Sequence, residues 1–371
     1  MNLRIWLPPQ FDPASGSPAA ELLRARLAEF TKRRGLPIEV RVKALSGAGG
    51  MLESLSTANA AAPLALPDLV LLPRPLLEAA ALKGLLYSVD GLIQPLNSAD
   101  WYEYAIELAH LQNSTYGLPF AGDALILIYR PAEIATPPRD WATLLSLTEP
   151  LIFPAGDEQA LFTLAQYLAS DAPIQDDEGR PMLEIEALRR VLTFFQEAER
   201  ANVLPFWLTQ YTTYEQAWQA YRDGSADMLI GWTSQYLGEL PVDSSAMAIP
   251  TPDGRAFTLV NGWVWALSNL PAKSHAASVE LAEYLTEGEF LARWTAAAGY
   301  LPPRQSALEG WSDATLKLLA ARTVHSAQVI PRNDLLSVLS PALQQATIEV
   351  LKEQGDPLSA AQQALQRLTA P

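Results

Sequence analysis

Catalysis needs nucleophiles, proton carriers or metal ligands at workable spacing, and this chain offers few. Its 371 residues include no cysteine, which excludes thiol nucleophiles, thiolate metal sites and disulfides. The three histidines, His110, His275 and His325, lie far apart with no histidine at ligand spacing, so neither a zinc-type centre nor a histidine relay is expected. No Gly-x-Ser-x-Gly elbow occurs. Carboxylate pairs such as Asp157-Glu158 and Asp176-Asp177-Glu178 are inevitable among 41 acidic residues and read as solvated loop charge. A hydrolytic pair is defined by separation in space, which adjacency in sequence does not supply. Ser46-Gly47-Ala48-Gly49-Gly50 follows a strand pattern and opens a helix. Free N–H groups there could hold a ligand oxygen, but the Gly-Lys-Ser/Thr of a phosphate loop and the spacing of a dinucleotide fingerprint are missing. No catalytic residue, metal site or cofactor is expected.

What the chain has in quantity is aromatic surface. Ten tryptophans are present. Trp232 directly follows the apolar run Met228-Leu229-Ile230-Gly231. Asn261, Trp263 and Trp265 share one face of a strand by the two-residue period. Tyr300 stands between Gly299 and Leu301-Pro302-Pro303-Arg304. In an open α/β sheet, ligands bind beyond the carboxyl ends of strands. An aromatic side chain there offers a flat face to a ring while polar neighbours take its hydroxyls.

The elements that must position these groups follow from patterning. Leu3-Arg4-Ile5-Trp6-Leu7 reads as a first strand. Ser17-Pro18 opens a helix whose Leu23, Leu27 and Phe30 share a face, and Gly35 stops it. Ile38 to Ala44 alternates as a half-buried strand, 51–60 is a short helix, and Leu69-Val70-Leu71-Leu72 is a continuous apolar strand. With a helix over 76–82, this β-α-β-α-β order predicts an open parallel sheet covered on both sides. A second α/β stretch spans 121–249, with helices near 158–170, 184–200 and 214–223 and strands at 125–129 and 228–230. A long strand over 257–267 precedes an almost wholly helical remainder. The 29 prolines sit mostly at element ends. A net charge of −15 argues against nucleic acid and anionic membrane surfaces. No run approaches the roughly 18 apolar residues a membrane span needs. No charged stretch, apolar core or cleavage site of a secretory leader precedes Leu3, so an address outside the cytoplasm would need a leader beyond this sequence.

Taken in order, several segments carry a resemblance: Pro67-Asp68-Leu69-Val70, Gly84 to Ile93, Tyr116-Gly117-Leu118-Pro119-Phe120, Asp123-Ala124-Leu125, Pro137 to Trp141, Ala217 to Met228, Asn261-Gly262-Trp263, Gly299 to Arg304 and the helical tail to Leu368. Together they resemble the carbohydrate-type extracellular solute-binding proteins of ABC importers, with a maltose-binding-protein-like layout. The resemblance implies an α/β, periplasmic-binding-protein-like fold of type II, with two discontinuous lobes, each a central sheet flanked by helices, joined by a hinge. The lobes would be 1–118 with 251–303 and 119–250 with 304–371, the chain crossing near 118–122, 250–255 and 301–306.

By position, the resemblance implies that Trp263 stacks on the ligand, that Trp232 lies at the cleft edge of the second lobe, and that Asp123 accepts hydroxyls. It makes Arg74 a donor and adds Asn261, Phe11, Tyr300 and Arg304 as further ligand-binding candidates. The partners implied are a small-molecule ligand, a mono- or oligosaccharide, and ABC permease subunits. The protein is expected to be a non-catalytic, extracytoplasmic monomer, lipid-anchored in full length. Two departures stand out: the proline-rich loop Pro8 to Pro13, and the stretch Asn333 to Leu339, which lacks the aromatic that some relatives supply. The alternatives are a non-sugar ligand (a polyamine, an amino-acid-like molecule or another cation), a ligand-sensing module feeding a membrane receptor, and a glycan hydrolase.

Overall fold

Ser17, Pro18 and Gly35 bracket the first helix as their chemistry dictates. In the computed structural model, which describes residues 2–268 and 275–369, helix Pro18–Arg34 begins with the Ser17 hydroxyl accepting from the Ala20 N–H. It ends at Gly35 in the left-handed region. Its Leu23, Leu27 and Phe30 are buried together, as their shared face predicts, and the Phe30 ring packs 5.5 Å from Tyr284.

The chain divides into two compact units, Met1–Asp123 with Val260–His325, and Ala124–Leu259 with Ser326–Pro371. In the first, strand Leu3–Leu7 pairs in parallel with Ile38–Val42 on one side and with Leu69–Pro73 on the other. Strand Thr258–Ser268 then runs antiparallel to Leu69–Pro73. The sheet is therefore mixed, and the purely parallel expectation is corrected. The added strand comes from far along the chain, so no crossover helix forces it parallel. Ile38–Val42 is the partly exposed edge, whereas Leu69–Pro73 is buried along almost its whole length.

In the second unit, Met228–Trp232 runs antiparallel to Leu125–Tyr129 and parallel to Leu151–Ile152. The strand there is longer than expected. It spans Leu118–Tyr129 without a break, so Pro119 is accommodated inside it. Helices Ile185–Arg200, Asn333–Lys352 and Pro357–Thr369 pack on one another, with the Thr163 and Thr347 hydroxyls 2.8 Å apart beneath them. Trp141 stacks on Phe194 at 4.4 Å and donates from its indole to Gln166.

The third change of unit falls at His325, not near 301–306. Residues 304–325 are tied to the first unit. The Arg304 guanidinium pairs with Asp100 at 3.0 Å, the Ser306 N–H donates to the same carboxylate, and the Trp311 indole donates to Thr295. Proline and glycine marked a break in the chain there, but those side-chain partners decide which unit the following helices join.

Candidate functional site

Two prolines end the first strand, and the single turn Pro9–Phe11 that follows carries a buried ring. Phe11 meets the Trp263 ring edge-on at 4.8 Å and lies 5.5 Å from Tyr300 and 5.6 Å from Trp294. Trp294 and Tyr300 are nearly parallel at 6.2 Å, and Phe120 lies 4.2 Å from Trp294. The group has a floor and a rim. Phe120 and Trp294 are sealed, Phe11 and Trp263 keep 4% and 8% of their surface, and Tyr300 is half-buried.

Asp123 adds charge at this rim. Burial pushes the Tyr300 phenol well above its ordinary value, and the Asp123 carboxylate adds to the shift. Tyr300 is thus a protonated donor near a carboxylate acceptor. Asn261 lies two residues before Trp263, and its amide oxygen accepts from the Gly262 N–H at 2.8 Å. Rings, one acceptor and one donor on adjoining elements can hold a flat-sided polar solute. Trp265, on the same strand face as Trp263, is a core residue at 1% exposure.

Arg74 and Arg304 are engaged elsewhere, against expectation. Arg74 Nη1 donates to the carbonyls of Glu107 (2.7 Å), Leu108 (2.9 Å) and His110 (2.7 Å). It closes the C-terminus of helix Glu103–Ala109, where orphan carbonyls and the helix dipole favour a cation. Arg304 lies 3.9 Å above the Trp101 ring while paired to Asp100. Both guanidiniums serve the frame of the first unit.

Trp232 belongs to the second unit. Its backbone N–H donates to the Gln235 side chain at 2.9 Å, and its partly exposed ring packs 5.4 Å from Tyr214. The charge of Asp157 acts on the Tyr214 phenol, and its carboxylate accepts from the N–H groups of Gln159 and Leu161. Burial raises the Asp157 pKa despite these bonds. Phe120, Trp294 and Tyr214 escaped sequence reasoning, and Asp157, expected to be solvated loop charge, is instead half-buried and bonded to two backbone N–H groups. Phe120 sat in a segment read only as a crossing, and Trp294 lies inside a helix with no local signal of its role.

The three histidines occupy separate places in the fold. Buried His275 packs on Tyr87, His325 Nδ1 donates to the Ala321 carbonyl, and His110 is exposed. Among the described residues, no group of three or more His, Cys, Asp or Glu is placed to hold a metal ion. The Gly49 N–H is taken by the Glu53 carboxylate at 2.7 Å, so the glycine-rich turn is capped from within. No helix among the described residues is long and apolar enough to cross a membrane.

A fold of two discontinuous α/β units with a ring-lined polar site defines a solute-binding class. The chain belongs to the bacterial extracellular solute-binding proteins, whose family model matches residues 25–320. That family consists of non-catalytic binding proteins that work outside the cytoplasm. Among solved structures, the chain is similar to the sugar-binding protein MalE of Xanthomonas citri, with 19% identity, 99% of this chain and 96% of that one covered, and a TM-score of 0.81. It is also similar to the cyclic α-maltosyl-1,6-maltose binding protein of Arthrobacter globiformis (15%, 99% and 98%, 0.80). A third is an ABC transporter solute-binding protein of Thermotoga lettingae bound to α-D-tagatose (19%, 99% and 98%, 0.74). These likenesses establish the two-lobed periplasmic-binding-protein fold. No match to a curated protein is found by sequence.

Proposed function

We propose that this protein is the substrate-binding component of an ABC importer and captures a mono- or oligosaccharide. The observation that carries the reading is the rim formed by Phe11, Trp263 and Tyr300 with Asp123 beside it. Ring faces cover the C–H side of a pyranose, while the carboxylate and the phenol take its hydroxyls. The solved relatives bind maltose, maltotetraose or tagatose, which supports a sugar over an amine. Trp232 is the matching ring of the second unit. Binding is by hinge closure: the solute stabilises the closed arrangement, which permease subunits then recognise. The protein acts as a monomer and does no chemistry on its ligand.

The test is a thermal-shift screen of the purified protein against mono-, di- and trisaccharides, with putrescine and arginine as cationic controls. A sugar that raises the unfolding midpoint supports the reading. A shift given only by the cations overturns it.

A further inference from the structure

The place of Arg74 in its own helix does not explain it. It is the first residue of helix Arg74–Leu82, at the positive end of that helix's dipole, where a cation is disfavoured. It is also buried, at 8% exposure, which is rare for a guanidinium and costly without partners. What balances this is the carboxyl end of another helix. The Glu107, Leu108 and His110 carbonyls converge on its Nη1, and the Ala109 carbonyl accepts from the Tyr116 N–H at 2.9 Å. The carbonyls of residues 107–110, which close helix Glu103–Ala109, thus each have a donor.

That grip reaches Trp263 by two routes, both within the first unit. Arg74 follows Pro73, the strand residue opposite Trp263 at the end of the antiparallel ladder. Pro73 has no N–H to give to that ladder, so its last pair depends on what else holds the strand end in place. The helix end that Arg74 grips carries Leu108, which is sealed from solvent. The Leu108 side chain fills the space a Cβ on Gly262 would need. Asn261 and Trp263 flank that glycine, and the Asn261 amide oxygen accepts from the Gly262 N–H. A shift of Leu108 or of Pro73 is therefore passed to the Trp263 backbone, since close packing leaves little room to absorb it. The ring on that backbone is the one that meets Phe11 edge-on.

We propose that Arg74 is a positioning residue of the solute site. By tying the carboxyl end of helix Glu103–Ala109 to the end of strand Leu69–Pro73, it sets the pose of the Trp263 ring without touching the solute. The inference rests on the sugar reading above in taking Trp263 as a solute contact. The test uses the full chain labelled with fluorotryptophan, in which the Trp263 fluorine resonance is identified by its loss in Trp263→Phe. Arg74→Met removes the grip. Arg74→Lys keeps a cation with three N–H donors at the helix end. Leu108→Val loosens the contact with Gly262 and carries the test if Arg74→Met fails to fold, which circular dichroism melts reveal. The Trp263 resonance is expected to move in Arg74→Met and in Leu108→Val and to return in Arg74→Lys, while that of Trp218, buried in the second unit, stays in place. Affinity for maltose and tagatose, read by calorimetry, is expected to fall about tenfold in Arg74→Met, the scale of one misplaced ring contact. With Trp263 already replaced by Ala, the same change should cost less than about twofold, because residues that act through one another are not additive. A Trp263 resonance that stays in place in the folded Arg74→Met and Leu108→Val proteins overturns the proposal. So does an equal loss of affinity in both backgrounds, which would make Arg74 a solute contact in its own right. Should neither sugar bind, the sugar reading falls while the resonance still decides the role of Arg74.

Discussion

At the scale of single residues, chemistry and framework divide among groups that look alike in sequence. Trp263 and Trp265 differ by one strand repeat, yet Trp263 keeps 8% of its surface beside Phe11 while Trp265 is sealed at 1%. Trp263→Ala is expected to weaken sugar binding by about 1–3 kcal/mol, the scale of a large apolar contact, and calorimetry reads it directly. An unchanged affinity would remove Trp263 from the site. Asp100 belongs to the framework. Burial pushes its carboxyl up, but the Ser306 N–H and the Arg304 guanidinium outweigh this and hold it below the usual range. A lowered folded-state pKa adds stability that is present above the unfolded value of about 3.9 and lost as pH falls through the folded one. Asp100→Asn should therefore cost about 1 kcal/mol near neutral pH, and the deficit should fade as the medium turns acidic below the ordinary carboxylate range. Urea melts at pH 7 and pH 3 measure both. An equal deficit at the two pH values would mean the aspartate acts by shape alone.

At the scale of elements, one glycine shows how the long strand Thr258–Ser268 is seated. A Cβ on Gly262 would run into the Leu108 side chain and come within 2.6 Å of the Ala121 carbonyl. The backbone can approach its neighbours only because no side chain is present there. Gly262→Ala should destabilise the protein by about 1–3 kcal/mol, the range for overpacking. It should also weaken ligand binding, because Asn261 and Trp263 flank the displaced backbone. Denaturant melts together with calorimetry would show both effects. A melt matching that of the native protein would mean that Leu108 gives way freely.

At the scale of the whole molecule, a solute bound only by the closed state couples binding to shape and stability. A sugar at about a hundred times its dissociation constant is expected to add about 2.7 kcal/mol of stability and to reduce the radius of gyration in X-ray scattering. A stabilising sugar that leaves the scattering curve unchanged would refute hinge closure while preserving binding. The changes of unit at Asp123 and Leu259 fall inside the continuous strands Leu118–Tyr129 and Thr258–Ser268, so they follow from which distant segments meet and not from the ends of elements. The third falls at His325, because Asp100, Thr295 and their partners bind residues 304–311 to the first unit, and such long-range bonds leave no local trace.

From sequence alone came the α/β class, the helix that Ser17 opens and Gly35 stops, the buried strand Leu69 to Leu72, and the absence of thiol chemistry. These follow from backbone stereochemistry, hydrophobic period and residue inventory, all of which are local. Only the tertiary structure decided that the sheet of the first unit is mixed, that Arg74 closes a helix end, and that Phe120 and Trp294 are sealed beside Phe11. Each of these depends on which distant segments meet, and a side chain's donors and acceptors are indifferent to partner until the fold brings one within about 3 Å.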